Sequence, residues 1–211
     1  MKADQTSNKS NTTKLVITAM LSAVAVALQY IEVSIPIVPS FLKLDFSDIP
    51  ELIGAFIIGP VGGVVICLLK NLIHMLATNS FGVGELSNFL LGAVFSVVAG
   101  LIYKHKKTKV TALIACVSAA FAMAAVCIPV NYFLIYPIYA ELWAGGDMGV
   151  IISMYKAIVP ASDTLLKSLL IFNLPFTFVK GLICAVVTML IYKPLSNLFV
   201  KLNNQINRKR A

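Results

Sequence analysis

One stretch decides the topology of this chain: Phe41-Leu-Lys-Leu-Asp-Phe-Ser-Asp-Ile-Pro-Glu-Leu-Ile-Gly-Ala-Phe-Ile-Ile-Gly-Pro-Val-Gly-Gly63. It opens the apolar segment 49–77, whose 29 residues would form about 43 Å of helix, whereas one membrane span needs only about 20 residues. Gly59-Pro60 interrupts this segment, because glycine tolerates strained turns and proline cannot donate a backbone hydrogen bond. The segment therefore predicts two short helices joined by a tight turn.

The positions of the charged residues favour two crossings in this segment. Lysines precede the first apolar run, residues 15–31, and cluster again after the third, residues 86–103, and such clusters mark cytoplasmic segments. An even number of crossings must separate them, so residues 49–77 cross twice or not at all. Two crossings are favoured because they account for the length of this segment and for the Gly59-Pro60 interruption. Of the 17 Lys and Arg residues, 12 lie in the three segments assigned to the cytoplasm, and eight of the nine acids lie in outward-facing regions.

The composition is that of an integral membrane protein in a lipid bilayer. With 59% hydrophobic and 12% charged residues among 211, the chain has more apolar surface than one soluble core could bury. The net charge of +8 follows from the cytoplasmic lysines, so we expect no nucleic-acid partner. All four cysteines lie in apolar runs without a C-x-x-C pair, which predicts small membrane hydrophobes and no metal site.

These observations predict an all-α integral membrane protein with six transmembrane helices and a lid-like external loop between helices 1 and 2. The chain is then a multi-pass protein of the plasma membrane with both termini in the cytoplasm. The helices are expected at about residues 14–31, as a pair within 49–77, and at about 85–103, 110–135 and 167–192.

Three regions follow from this layout. Residues 1–13 are expected to be a disordered cytoplasmic tail, residues 14–193 a six-helix membrane domain, and residues 194–211 a basic cytoplasmic tail. Residues 136–166 are expected to be one long external loop with an interfacial helix at about 149–159. Its aromatic rings are more typical of a belt at the membrane surface than of a stacking box: Tyr136, Tyr139, Trp143 and Tyr155.

Lys180 is the strongest candidate for a functional residue. It lies 13 residues from both Lys167 and Lys193, which places it about 20 Å along the helix from either one, too deep for its ammonium to reach water easily. A lysine at such depth costs roughly 2.5 to 3.5 kcal/mol, and charged residues inside membranes are functional candidates by default. We expect it to bind a ligand or form an ion pair, the alternative being a structural lysine bonded to backbone carbonyls.

Other polar residues are predicted to lie near Lys180. Asn88, Asn131 and Thr177 fall in the outer halves of three different helices and are expected to converge on a central cavity, although each could instead bridge two helices. Lys70 and Asn71 are weaker candidates for the same site, because Lys70 lies near the outer surface and could extend its ammonium to water.

The sequence lacks the motifs of the common enzyme classes. There is no G-x-x-x-x-G-K-[ST], no H-E-x-x-H and no G-x-S-x-G, so we expect neither an ATPase nor a hydrolase. A stand-alone secondary transporter is an alternative, but the chain shows no inverted repeat and no acid predicted to be buried as a proton relay.

Several motifs resemble one family of membrane proteins over nearly the whole chain. The opening stretch, 41–63, and the pair Ala19-x-x-x-Ala23 resemble the substrate-binding S components of energy-coupling factor (ECF) vitamin transporters, with the riboflavin-specific branch as the best match. The other matching motifs are Leu68-Leu-Lys-Asn71, Gly84-Glu-Leu-Ser-Asn-Phe89, Asn131-Tyr132 and Pro175-Phe-x-x-x-Lys-Gly181.

The resemblance implies a function, partners and site residues. A vitamin would be held near the outer face under the first external loop, and a transmembrane coupling subunit with two ATPase subunits would supply the energy. The face formed by Ala19 and Ala23 would contact the coupling subunit, whereas packing inside the chain is the alternative reading of these two alanines. No cofactor is implied, since riboflavin is the transported ligand. The substrate-binding residues would be Leu44, Asp45, Phe46, Asn88, Asn131, Thr177 and Lys180.

One of these positions departs from the family pattern. Family members contact the isoalloxazine ring with an Asn on helix 5 and an Asn-x-x-Lys on helix 6, which correspond to Asn131, Thr177 and Lys180. Threonine offers a single hydroxyl where an amide offers two donors and an acceptor. Another vitamin, such as pantothenate, folate or thiamine, therefore stays open as the ligand.

Overall fold

The computed structural model describes residues 2–78 and 80–207, with side chains for residues 11–78 and 80–192. Its backbone is mostly helical, as the sequence predicts. The helices are α1 (Lys2–Tyr30), α2 (Asp48–Ile57), α3 (Pro60–His74), α4 (Val83–His105), α5 (Lys109–Val130), α6 (Tyr136–Trp143), α7 (Met148–Lys156), α8 (Leu165–Ser168) and α9 (Leu174–Asn207). A 3₁₀ turn, Met75–Ala77, extends α3, and π turns precede α6 and α9 at Asn131–Ile135 and Leu169–Asn173.

Five helical stretches of the described residues are long and apolar enough to cross a membrane: Asn11–Tyr30, Pro60–Ala77, Val83–His105, Lys109–Trp143 and Leu165–Tyr192. They are consistent with the predicted all-α membrane protein. Helix α2 is shorter, because its 10 residues rise about 15 Å, half of the roughly 30 Å hydrocarbon core. A sixth crossing that uses α2 therefore stays a prediction.

The predicted break within residues 49–77 lies at Gly59-Pro60. Gly59 has a φ of +111°, a conformation that residues with a Cβ rarely adopt, and Pro60 begins α3. Helix α4 packs directly on this turn, since a Cβ added to Gly100 would lie 2.8 Å from the Cα atom of Pro60. The two-helix reading of the segment is thus confirmed by the structure.

Alanines and glycines allow the longer helices to pack closely. Ala112, Ala115 and Ala119 of α5 are fully buried in the main hydrophobic core. A Cβ added to Gly181 of α9 would lie 2.9 Å from the Cβ atom of Ala120, so the backbones of α5 and α9 almost touch. Small residues give membrane helices this close contact, and here they fix α9 against α5.

Loop 1, residues 31–47, connects α1 to α2 on the side where α4 begins. Its strands β1 (Val33–Ser34) and β2 (Lys43–Leu44) form a short antiparallel ribbon that pairs Val33 with Leu44. The side chains of Lys43 and Glu32 form an ion pair across the base of this ribbon. The extended loop that the sequence predicts is therefore a folded hairpin with its own hydrogen bonds.

The segment 136–166 corrects the sequence analysis, which assigned it to one long loop with one helix. Helix α5 continues through its π turn into α6 as far as Trp143, and α7 corresponds to the predicted interfacial helix. Tyr136 and Tyr155 are buried, so they do not form a belt at the membrane surface. They pack inside a second hydrophobic core because their hydroxyls find hydrogen-bond partners there.

Both ends of the chain continue as helix. Residues 2–13 have helical backbone where a disordered tail is predicted, and they contain no proline or glycine that would end α1. Helix α9 likewise extends beyond Tyr192 to Asn207, and residues 1 and 208–211 of the two tails lie outside the described residues. The division into two cytoplasmic tails and a membrane domain stays a prediction.

Candidate functional site

A cavity of about 420 Å³ lies beneath loop 1. Its volume falls within the roughly 300 to 1,000 Å³ of small-molecule sites. Residues of loop 1, α4, the π turn Asn131–Ile135, α6 and α9 surround it. The structure brings five of the predicted substrate-binding residues into its wall: Asp45, Asn88, Asn131, Thr177 and Lys180.

Two predicted loop residues lie elsewhere. Neither Leu44 nor Phe46 is among the described residues that line the cavity. Leu44 pairs with Val33 in the ribbon, and Phe46 packs against the main hydrophobic core. In β2 successive side chains point to opposite sides, so Leu44 faces away from the side on which Lys43 lines the cavity.

Five buried charged residues form an ionic cluster beside the cavity: Asp45, Asp48, Glu51, Lys70 and Lys180. The Nζ atom of Lys180 lies 2.8 Å from Oδ2 of Asp45 and 3.4 Å from Oδ2 of Asp48. The other oxygen of Asp48, Oδ1, lies 2.8 Å from Nζ of Lys70, which is 2.5 Å from Oε1 of Glu51. Asp48 thus bridges the two lysines and connects the cavity wall to the interior of the bundle.

Lys70 does not extend to the outer surface, which corrects the sequence analysis. Its side chain is fully buried, and it also donates to the hydroxyl of Ser47. The cause is the first turn of α2, where Asp48 and Glu51 lie three residues apart on one face and attract the ammonium inward. Neither Lys70 nor Asn71 is among the described residues that line the cavity.

Asn71 instead joins two helices. Its Nδ2 atom donates to the carbonyl of Cys67 over 2.8 Å, and its Oδ1 atom accepts from Nε2 of Gln29 on α1 over 3.1 Å. Gln29 is itself buried. The amide therefore bridges α3 to α1, the alternative that the sequence analysis left open for polar groups of this kind.

The charge of Asp45 is set by the two lysines. Burial raises the pKa of this loop carboxyl, but the nearby charges of Lys180 and Lys70 lower it by a greater amount. The net result is a pKa well below the ordinary range. Asp45 is therefore an anion at neutral pH and ties loop 1 to α9. An ammonium has three N–H donors, and within the described residues Lys180 donates one to Asp45 and has Asp48 as an ion-pair partner at 3.4 Å, so at least one donor remains for a ligand.

Asn131 and Thr177 meet through a cysteine. Asn131 donates from Nδ2 to Sγ of Cys127 over 3.0 Å and accepts at Oδ1 from the hydroxyl of Ser87 over 3.3 Å. The hydroxyl of Thr177 lies 3.3 Å from the same sulfur. The amide of Asn131 is thus held at both ends, and its second N–H is not used by these contacts.

A second buried polar cluster, the hydroxyl–amide ring, consists of Tyr136, Tyr155 and Asn173. The hydroxyl of Tyr155 donates to Oδ1 of Asn173 over 2.6 Å, and Nδ2 of Asn173 donates to the hydroxyl of Tyr136 over 2.9 Å. A hydrogen bond between the two tyrosine hydroxyls closes the ring. Phe41 of loop 1 packs edge-on against both tyrosines, so the ring also supports loop 1.

Polar side chains also line the cavity between α3 and α4. His74 and Glu85 form a pair with Nδ1 and Oε1 at 2.7 Å, and the hydroxyl of Ser80 donates to Oε2 of Glu85 over 2.9 Å. The ring centroids of Tyr30 and His74 lie 4.9 Å apart. Among the residues that the structure describes, no cluster of His, Cys, Asp and Glu could hold a metal ion.

The sequence analysis missed most of these partners. It placed the acids in outward-facing regions, yet Asp45, Asp48, Glu51 and Glu85 are all buried. Two signals pointed to them: a lysine inside an apolar segment requires a counter-ion, and Asp48 and Glu51 are spaced to meet one on a single helix face. Asn173 gave a weaker signal, since it lies seven residues before Lys180 and therefore on the same side of the helix.

The predicted partner face lies on α1, away from the cavity. Ala19 and Ala23 are both exposed, whereas Ser22 and Ala25 on the other side of the helix are buried. Within the described residues this face of α1 is open to the surroundings, and its role as a partner surface stays a prediction.

Comparisons with known proteins agree with this architecture. Curated relatives include the riboflavin transporter RibU of Staphylococcus aureus, 33% identical over 190 residues that cover 90% of this chain and 94% of the relative. The riboflavin transporter FmnP of Bacillus subtilis is 29% identical over 202 residues, covering 94% and 96% of the two chains.

A solved S component of a bacterial ECF transporter superposes with a TM-score of 0.71 at 34% identity, covering 89% of this chain and 98% of that one. The model of the family "ECF transporter, substrate-specific component" matches residues 13–192. This chain therefore belongs to the substrate-specific components of ECF transporters.

Proposed function

We propose that this protein binds riboflavin from outside the cell and presents it to a separate energising module for ATP-driven uptake. The relatives that cover most of the chain are named riboflavin transporters. The observation that carries the proposal is the cavity under loop 1, whose wall contains both Lys180 and Asn131, each with an N–H donor that its protein contacts do not use. This arrangement is suited to the pyrimidine edge of a flavin, which has two carbonyl acceptors and one N–H donor.

The charge of the cavity favours a neutral vitamin. Its wall contains four acids, Glu32, Asp45, Asp48 and Glu85, but only two lysines, Lys43 and Lys180. An anionic vitamin such as pantothenate or folate would meet a lysine already paired with two carboxylates, and like charges nearby would oppose its binding. Thiamine is the second candidate. As a cation it is consistent with the excess of acids in the cavity wall, and Thr177 departs from the pattern of the riboflavin-specific branch.

We further propose six crossings, with α2 and α3 as a hairpin and both termini in the cytoplasm of a plasma-membrane protein. Twelve of the 17 Lys and Arg residues fall in the segments that this topology places inside. Loop 1 then acts as a lid, since Asp45 joins it to α9 over the cavity and Phe41 anchors it on the hydroxyl–amide ring. Substrate would enter when these contacts open.

The energising partners are proposed to be a transmembrane coupling subunit and two ATPase subunits. The sequence has no P-loop of its own, so it would act as a binding subunit and not as an enzyme. The exposed pair Ala19 and Ala23 on α1 is the proposed seat of a coupling-subunit helix.

Titration of the purified protein in detergent tests the proposal. Riboflavin should bind with submicromolar affinity, and its fluorescence should be quenched in the bound state. Flavin should also be released when the purified protein is denatured. Pantothenate, folate and thiamine serve as comparison ligands. Binding of one of these without any response to riboflavin would contradict the assignment.

A further inference from the structure

Asn173 occupies the cavity wall in line with two residues already assigned to the site. Asn173, Thr177 and Lys180 follow one another at spacings of four and three residues, and all three line the cavity. Residues with this spacing share one helix face. The rise from Asn173 to Lys180 is about 10 Å, so a flat ligand lying along α9 would contact all three.

The hydroxyl–amide ring holds the amide of Asn173 in place from both of its ends. Tyr155 can donate only its hydroxyl hydrogen, which goes to Oδ1, and Nδ2 donates to Tyr136. The bond between the two tyrosines completes a circle in which each group donates once and accepts once. A flip of the amide would reverse all three bonds together, so in either direction the ring uses one N–H and one lone pair of Asn173.

The ring leaves part of the amide unused. Asn173 has two N–H donors and two lone pairs, and within the described residues the ring takes one of each. The side chain is 3% exposed, so these remaining groups have little access to water except through the cavity. A buried amide that is held in place and has an unused N–H and an unused lone pair is suited to a hydroxyl or carbonyl of a ligand.

We propose that Asn173 is a further ligand-binding residue, and that Tyr155 is a positioning residue that acts on the ligand through Asn173. Tyr155 is fully buried and is not among the described residues that line the cavity, whereas Asn173 and Tyr136 are. The inference deepens the proposed function and depends on it only for the identity of the ligand. Asn173 also places an amide one helical turn from Thr177, whose hydroxyl offers fewer hydrogen bonds than an amide at that position would.

The test is a mutant cycle in riboflavin affinity. Asn173→Leu should weaken binding by about tenfold or more, and Tyr155→Phe by about threefold to tenfold, the range for lost neutral hydrogen bonds. Because Tyr155 acts through Asn173, the double variant should bind no more weakly than Asn173→Leu alone. The visible absorption band of bound flavin should shift in both single variants, a change that loss of packing alone would not cause.

Tyr103→Phe is the matched control. Tyr103 is also a buried tyrosine whose hydroxyl bonds to another tyrosine, Tyr192, over 2.8 Å, but it lies in the main core away from the cavity wall. Its variant should bind riboflavin as the wild type does. Asn173→Asp is the second variant if Asn173→Leu does not fold, since a carboxylate still accepts from Tyr155 but has no N–H for the ligand; it should also bind weakly.

Two outcomes would overturn the inference. One is a folded Asn173→Leu or Asn173→Asp protein with wild-type affinity. The other is a double variant in which the effects of Tyr155→Phe and Asn173→Leu multiply, as independent sites do. The wild-type titration decides the proposed function separately: if another vitamin binds instead of riboflavin, the same variants titrated with that vitamin decide the role of Asn173.

Discussion

The ionic cluster and the hydroxyl–amide ring solve the burial of polar groups in different ways. The cluster sets three carboxylates against two ammonium groups, all almost inaccessible to water. The ring has no formal charge, and each member both donates and accepts. An unpaired buried charge costs far more than an unpaired hydroxyl. The comparison therefore predicts that removing a member of the cluster damages the fold, whereas removing a member of the ring mainly changes the site.

The two clusters also hold the lid at different points. Asp45 joins loop 1 to Lys180 by an ion pair, and Phe41 joins it to Tyr136 and Tyr155 by ring contacts. Both contacts lie at the cavity, so a ligand could alter either one. The ionic contact has the greater strength, because a hydrogen bond to a charged group contributes about 1.5 to 3 kcal/mol, whereas an aromatic pair contributes about 0.5 to 1.5 kcal/mol beyond its buried area.

The largest expected effect is on stability, from Lys70→Met. It leaves Asp48 and Glu51 without their shared cation, and breaking a buried ion pair on one side costs about 3 to 5 kcal/mol. Tyr155→Phe in the ring should cost only about 0.5 to 1.5 kcal/mol. Unfolding in detergent, followed by circular dichroism, measures both.

A compensating change separates charge from packing in this prediction. Lys70→Met combined with Glu51→Gln removes one charge of each sign and should recover much of the lost stability, since Asp48 still has Lys180 nearby. Lys167→Met, which removes the cation of an exposed pair with Asp163, should have no measurable effect. Equal losses in Lys70→Met and Tyr155→Phe would break the distinction between the two clusters.

The next effect is on binding, from Lys180→Met. It removes a donor to the ligand, and hydrogen bonds from charged groups contribute about 1.5 to 3 kcal/mol. The binding free energy of riboflavin should therefore weaken by about that amount. It also leaves Asp45 unpaired, which lowers stability. Adding Asp45→Asn should restore stability without restoring affinity, and calorimetric titration with thermal unfolding separates the two. Unchanged affinity in a folded Lys180→Met protein would make Lys180 purely structural.

The sequence predicted individual polar residues of the site better than it predicted their partners. Lys180 stands out because a charge deep in an apolar helix is rare, and the Gly59-Pro60 break stands out because both residues restrict the backbone. The partners of Lys180 come from loop 1 and α2, more than 130 residues away, and only the fold brings them together. Tyr136 and Tyr155 looked like surface residues because burial of a tyrosine depends on hydroxyl partners that the local sequence does not show.

The smallest expected effect on either cluster comes from α1, and it tests whether the site and the partner surface are independent. Ala19 and Ala23 are exposed and lie one turn apart, so a helix of a coupling subunit could approach closely. Replacing both with Leu would hold that helix away and remove its packing contacts. Neither residue belongs to the ionic cluster, to the ring or to the cavity wall of the described structure, so the solitary protein should keep its stability and its riboflavin affinity.

Two measurements decide this last prediction: riboflavin titration of the solitary double variant, and its co-purification with the coupling subunit and the ATPases. Loss of assembly with intact binding is expected. Ala27→Leu, which changes another exposed alanine of α1 one turn further on, shows how far the surface extends. Normal assembly and transport by the double variant would place the coupling surface elsewhere. Loss of riboflavin binding would show that α1 and the cavity are coupled. Larger side chains on an exposed face do not contact the two buried clusters, so they could affect binding only by displacing α1.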